Sequence, residues 1–127
     1  MQDRPTASEL LEAIADLLER EVLAATKGGL QHQVRVAANL CRIVEREVRL
    51  GAADDARAID LLASALGEPP AGRDALALSH ALVARLDAGA DAALEKGAWR
   101  ALVEIVRGKL AIAKPGHDAW DFSAELD

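Results

Sequence analysis

Aromatic side chains are nearly missing from this 127-residue sequence: there is no tyrosine, and Trp99, Trp120 and Phe122 complete the set. Strands favour aromatic and β-branched residues, so the shortage argues against a β-rich fold. Cysteine occurs once, at Cys41. No intramolecular disulfide can form, and no Cys pair is present to seed a zinc site. His32, His80 and His117 stand far apart, and none has the Glu three residues earlier that a di-iron bundle site requires. No apolar run approaches the ~18–20 residues that span a bilayer. Met1-Gln2-Asp3-Arg4-Pro5 lacks the basic-then-apolar pattern of a signal peptide, so the cytoplasm is the expected compartment and no membrane partner is expected. Acidic residues outnumber basic ones 21 to 15, a net charge of −6. The concentrated positive surface that a nucleic-acid partner demands is therefore lacking.

What the sequence has in quantity is 28 alanines and 19 leucines. Both are strong helix formers, and an apolar fraction of 51% is too high for a disordered chain. The expected fold is all-α: a single-domain bundle of four or five helices, residues 1–116, with a distinct tail at 117–127. A capping box at Thr6-Ala7-Ser8-Glu9 opens a first helix over Ala7–Thr26, with Leu10, Leu11, Ile14, Leu17, Leu18 and Val22 at helical spacing. A second helix over Leu30–Leu50 is apolar around well over half its circumference, through Val34, Val36, Ala37, Leu40, Cys41, Ile43, Val44 and Val48. It is expected to be central, touching neighbours on most sides and ending at Gly51. A short third helix over Asp54–Leu66 closes at Gly67, and Glu68-Pro69-Pro70-Ala71-Gly72 is a loop. The fourth, over Arg73–Asp87, presents Leu78, Ala81, Leu82 and Leu86. The fifth occupies part of Asp91–Ala113, with Trp99, Leu102, Val103, Val106 and Leu110 as its stripe and Gly97 as a candidate break.

Catalytic chemistry has no visible constellation. Gly67 to Asp74 mimics phosphate-loop spacing, but it puts Arg73 and Asp74 where lysine and a hydroxyl belong, and it follows a helix rather than a strand. Ser8, Ser64, Ser79 and Ser123 lack a nucleophile-elbow setting. Cys41, on an apolar side, reads as a small buried hydrophobe. No cofactor or metal is expected.

One polar feature stands out. Arg35, Asn39, Arg42, Arg46 and Arg49 share a strip of the second helix, the four arginines within ~60° of one another. On adjacent turns, Arg35, Asn39 and Arg42 form a candidate grip for an anionic group, a phosphate or carboxylate, because guanidinium forks bind both bidentately. The first helix offers a competing explanation. Glu9, Glu12, Asp16 and Glu19 lie within ~80° of each other, so antiparallel packing would set acid against base as a salt-bridge network. Glu45 supports Arg49 at i+4. Contact with a protein partner is a third reading of the strip.

The tail holds Asp118, Asp121, Glu125 and Asp127 with no Lys or Arg. Trp120, Phe122 and Leu126 are the expected anchors that dock it on the body or on a second copy. The run from Lys27 to Glu47 (KGGLQHQVRVAANLCRIVERE), with Val106 to Pro115 (VRGKLAIAKP), resembles a family of small uncharacterised bacterial all-helical proteins. Its members are often encoded beside acyl-CoA dehydrogenases and aminoglycoside-phosphotransferase-like kinases. The likeness covers roughly residues 1–116, and the family's Arg-Val-Ala-Ala-Asn stretch falls on Arg35–Asn39. Near the end the family favours Ala-Asn-Pro where this chain has Ala113-Lys114-Pro115. The resemblance implies an association with acyl-CoA metabolism and names no reaction. The expectation is a non-enzymatic accessory protein that binds itself, or an acyl-CoA dehydrogenase-like or kinase-like protein, through helix faces and tail. The alternative is a binder or enzyme that recognises an anionic group, such as a coenzyme A phosphate, through Arg35, Asn39 and Arg42.

Overall fold

The computed structural model describes residues 3–117. It is all-α, four helices with no strand among the described residues. Helix α1 covers residues 7–25 and is not uniform: an α-helical stretch, Ala7–Leu17, runs into a π-helical turn, Leu18–Val22, and a last α turn, Leu23–Ala25. Helix α2 is Gly28–Leu66, α3 is Ala75–Asp87 and α4 is Ala92–Ala113. Two compact units result, Met1–Gly51 and Ala52–Asp127, and α2 contributes to both.

The starts of the helices follow from their caps. Thr6 Oγ1 accepts a hydrogen bond from the Glu9 N–H at 3.2 Å, while the Thr6 N–H donates to Glu9 Oε2 at 2.7 Å, so the expected capping box forms in full. Asp74 caps α3 by accepting from the Ala77 N–H, and Asp91 caps α4 by accepting from the Leu94 N–H, each at 2.8 Å. Helix α3 thus begins two residues later than Arg73. Arg73 instead braces the loop, donating to the Pro70 and Pro69 carbonyls and to Glu68 Oε1.

Gly51 does not end the second helix. The segments expected at Leu30–Leu50 and Asp54–Leu66 are one helix of 39 residues, with Gly51 buried inside it. A mid-helix glycine costs only about 1 kcal/mol relative to alanine, a small term beside the packing of a helix this long. Where the helix does end, Gly67 takes a positive φ of 71°. That conformation lets the Glu68 N–H reach the Ala63 carbonyl and the Gly67 N–H reach that of Ser64, a Schellman cap. Gly97 likewise lies within an unbroken α4.

The first unit is an antiparallel hairpin, α1 against the first part of α2. Ser8 Oγ donates to Glu45 Oε1 at 2.6 Å near one end, and Gln31 Nε2 donates to the carbonyls of Leu23 and Thr26 at the other. Small residues make the contact close: Ala15, Val34 and Ala38 are the buried side chains between them. The second unit packs the last turns of α2 with α3 and α4 around Leu62, Leu66, Leu78, Leu82 and Ala98. Leu78 is completely buried. Arg57 is paired with Glu104, and the Arg85 guanidinium donates to the Leu66 carbonyl at 2.5 Å.

Two packing expectations change. Helix α4 meets the core through Leu94, Ala98 and Ile105; of its expected stripe Val103 is buried and Leu110 half-buried, whereas Trp99, Leu102 and Val106 are exposed. The second helix is not covered on most sides either: Val36, Leu40, Val44 and Val48 are exposed. In both helices alanines are among the buried residues, Ala38 and Ala63 in α2 and Ala98 and Ala101 in α4, and a row of larger apolar residues is left exposed beside them.

Candidate functional site

The hairpin presents two chemically opposite flanks. Because α1 and α2 are antiparallel, the acidic strip of one and the basic strip of the other fall on the same side. Arg42 joins them. Its Nη2 donates to Asp16 Oδ1 at 2.7 Å and to Glu19 Oε2 at 2.9 Å, and its Nε donates to Glu19 Oε1 at 3.4 Å. Two carboxylates hold one guanidinium, so its pKa is raised by Glu19 first and Asp16 second. The Arg42 hydrogen bond in turn holds the Asp16 carboxyl below its ordinary value. One turn of pairs further along, Glu45 accepts from Arg49 Nε at 2.9 Å and from Ser8, and both bonds, Arg49's the larger, depress its pKa. The expected Glu45–Arg49 pair at i+4 is present.

Arg35, Asn39 and Arg42 come together as the spacing suggested. All three line one concavity of about 220 Å³, with Leu18, Glu19, Leu23, Val34 and Ala38 completing its walls. Unlike Arg42, Arg35 and Asn39 are exposed and their side chains have no hydrogen-bond or ion-pair partner among the described residues. The shape of the concavity depends on the π turn. The Leu23 N–H bonds to the Leu18 carbonyl, five residues back. In a regular α-helix residues five apart point ~140° away from each other, whereas one π turn brings them to one side. Leu18 and Leu23 therefore both face the α2 strip. Sequence patterning gave no sign of this turn, since a π turn has no simple residue signature.

The opposite flank of the hairpin is apolar. By helical spacing, Leu10, Ile14 and Leu17 of α1, at i, i+4 and i+7, and Leu40, Val44 and Val48 of α2, at i, i+4 and i+8, each turn away from the charged strip of their own helix, and all six are 44–55% exposed. Their spacing was visible in the sequence, as the excess of apolar positions around the second helix. What was not visible is that nothing in the described part of the unit covers them. Trp120, Phe122 and Leu126, the expected partner-binding anchors, lie outside the described residues.

Elsewhere, a concavity of about 440 Å³ lies over the 67–70 loop and is lined by Asp60, Ser64, Glu68 and two prolines, a surface with acceptors and few donors. Glu68 is engaged there by Arg73 at 2.8 Å, which holds its pKa down. Among the described residues no group of three or more His, Cys, Asp or Glu is placed to hold a metal ion, and no helix is long and apolar enough to cross a membrane. His32, His80 and His117 are exposed, and Cys41 is half-buried rather than buried.

No curated protein and no solved structure matches the chain. A family model does, over residues 24–117, so that Arg35, Asn39 and Arg42 fall inside the match while Asp16 and Glu19 precede it. The chain belongs to the family described as domain of unknown function DUF6285.

Proposed function

We propose that this chain is a non-enzymatic interaction protein of the cytoplasm, and that its first partner is a second copy of itself, docked on the apolar flank of the hairpin. The observation that carries the reading is the row Leu10, Ile14, Leu17, Leu40, Val44 and Val48, each about half exposed. Single exposed apolar residues are ordinary, but contiguous rows on two adjacent helices mark a contact surface. Two such hairpins, face to face about a two-fold axis, make a four-helix bundle in which each row meets its own copy. Burying the remaining half of each side chain is worth ~1 kcal/mol, so twelve residues supply ~12 kcal/mol. Lost rigid-body freedom opposes this with ~4–15 kcal/mol, which makes the association concentration-dependent rather than obligate. An acyl-CoA dehydrogenase-like or kinase-like protein, suggested by the family resemblance, is the second partner this surface would serve.

The test is light scattering on the full chain and on Leu40→Glu, with helicity followed by circular dichroism. A carboxylate at the centre of the face is expected to yield a monomer of undiminished helicity. Equal masses for the two proteins would remove this face from the account.

A further inference from the structure

The opposite flank of the hairpin carries a second, independent site. We infer that the concavity at the π turn binds a small organic monocarboxylate, with its charge on Arg35 and Asn39 and its hydrocarbon part on the walls formed by Leu18, Leu23, Val34 and Ala38. The chemistry follows from what is already paired and what is not. Arg42 is fixed by Asp16 and Glu19, so it shapes the wall and offers little free charge. Arg35 keeps a whole guanidinium fork for two carboxylate oxygens, and Asn39, one turn on, adds an amide donor. Local charge sets the valence. Asp16 and Glu19 are both taken up by Arg42, and Glu19 lies on the wall itself. A dianion such as phosphate would meet that carboxylate, whereas a single negative charge can sit at the Arg35 end. Size sets the length: about 220 Å³ holds roughly seven water-sized volumes, the extent of a five-carbon acid. The π turn is the device that makes the site, because a regular helix would turn Leu18 and Leu23 away from each other.

This inference stands apart from the self-association proposed above, because the two surfaces lie on different sides of the hairpin. The probe is sodium pentanoate, titrated into the isotopically labelled full chain and read by amide chemical shifts. Pentanol and inorganic phosphate serve as the uncharged and dianionic comparisons. Saturable shifts confined to Leu18, Leu23, Arg35, Ala38 and Asn39 are expected with pentanoate. Arg35→Gln is expected to weaken them about ten- to a hundredfold, the factor for a lost charge-assisted hydrogen bond. Arg35 is exposed, so the variant should keep its fold, and its unperturbed spectrum checks that. Asn39→Leu, also at an exposed position, should weaken binding by a smaller factor. Absence of saturation with pentanoate, equal binding of pentanol or phosphate, or indifference to Arg35→Gln would each overturn the assignment.

Discussion

Gly108 on α4 lies directly against Asp54 on α2: a Cβ built on the glycine would overlap the carboxylate, with Asp54 Cγ only 2.8 Å away. Replacing a mid-helix glycine by alanine normally stabilises by about 1 kcal/mol, because alanine restricts the unfolded chain and favours the helix. Here the added methyl collides, and forcing a packed neighbour aside costs ~1–3 kcal/mol. Gly108→Ala is therefore expected to be destabilising by ~0–2 kcal/mol. Removing the obstacle should reverse the sign. In an Asp54→Ala background, Gly108→Ala should stabilise by about 1 kcal/mol, so that the cycle reports a coupling of ~1–3 kcal/mol. Urea denaturation followed by far-ultraviolet circular dichroism resolves this, and a difference of 1 kcal/mol appears as a melting shift of roughly 3–5 °C for a chain of this size. If Gly108→Ala stabilises the wild type as much as the Asp54→Ala protein, the close approach of these helices is wrong.

Other expectations follow from the same packing and pairing. Leu78→Ala, at a completely buried position of the second unit, should cost ~3–5 kcal/mol in the same denaturation experiment. Thr6→Ala breaks both halves of the α1 cap and should cost about 1 kcal/mol, with faster amide exchange confined to the first turn. Stability should depend on pH in one direction only from the paired carboxylates. Asp16, Glu45 and Glu68 titrate below their unfolded values, through Arg42, Arg49 and Arg73 respectively, so their contribution is complete above about pH 5 and is lost as pH falls below about 4. Melting temperatures measured across that range would show it, and Arg42→Gln should flatten part of the decline.

Much of the fold is written in local chemistry, and it was readable for that reason. Thr6 with Glu9 fixes the first helix start through groups three residues apart, whereas the start at Asp91 became clear only from its cap on the Leu94 N–H. Glycine proved less informative: Gly67 ends a helix while Gly51 and Gly97 do not, because only the tertiary surroundings decide whether a glycine takes positive φ. The face that each helix buries was harder still. Helix α4 has two apolar stripes, and the larger side chains, Trp99, Leu102 and Val106, suggested the core. Of that stripe only Val103 is buried, and the helix meets the core through Leu94, Ala98 and Ile105. At the candidate site, opposite charge on adjacent strips announced the pairing of Arg42 with Asp16 and Glu19. Which arginine would be left over was beyond reach, since it depends on the register of α1 and on a π turn that no residue pattern signals.

The central claim is that the apolar flank of the hairpin is a surface for a second copy. Sedimentation velocity of the full chain over a micromolar dilution series tests it most directly. The account predicts a species of twice the 13.4 kDa chain mass at the concentrated end, giving way to the single chain on dilution, and only the single chain throughout for Leu40→Glu. A wild-type chain that stays at 13.4 kDa across the whole series would contradict it.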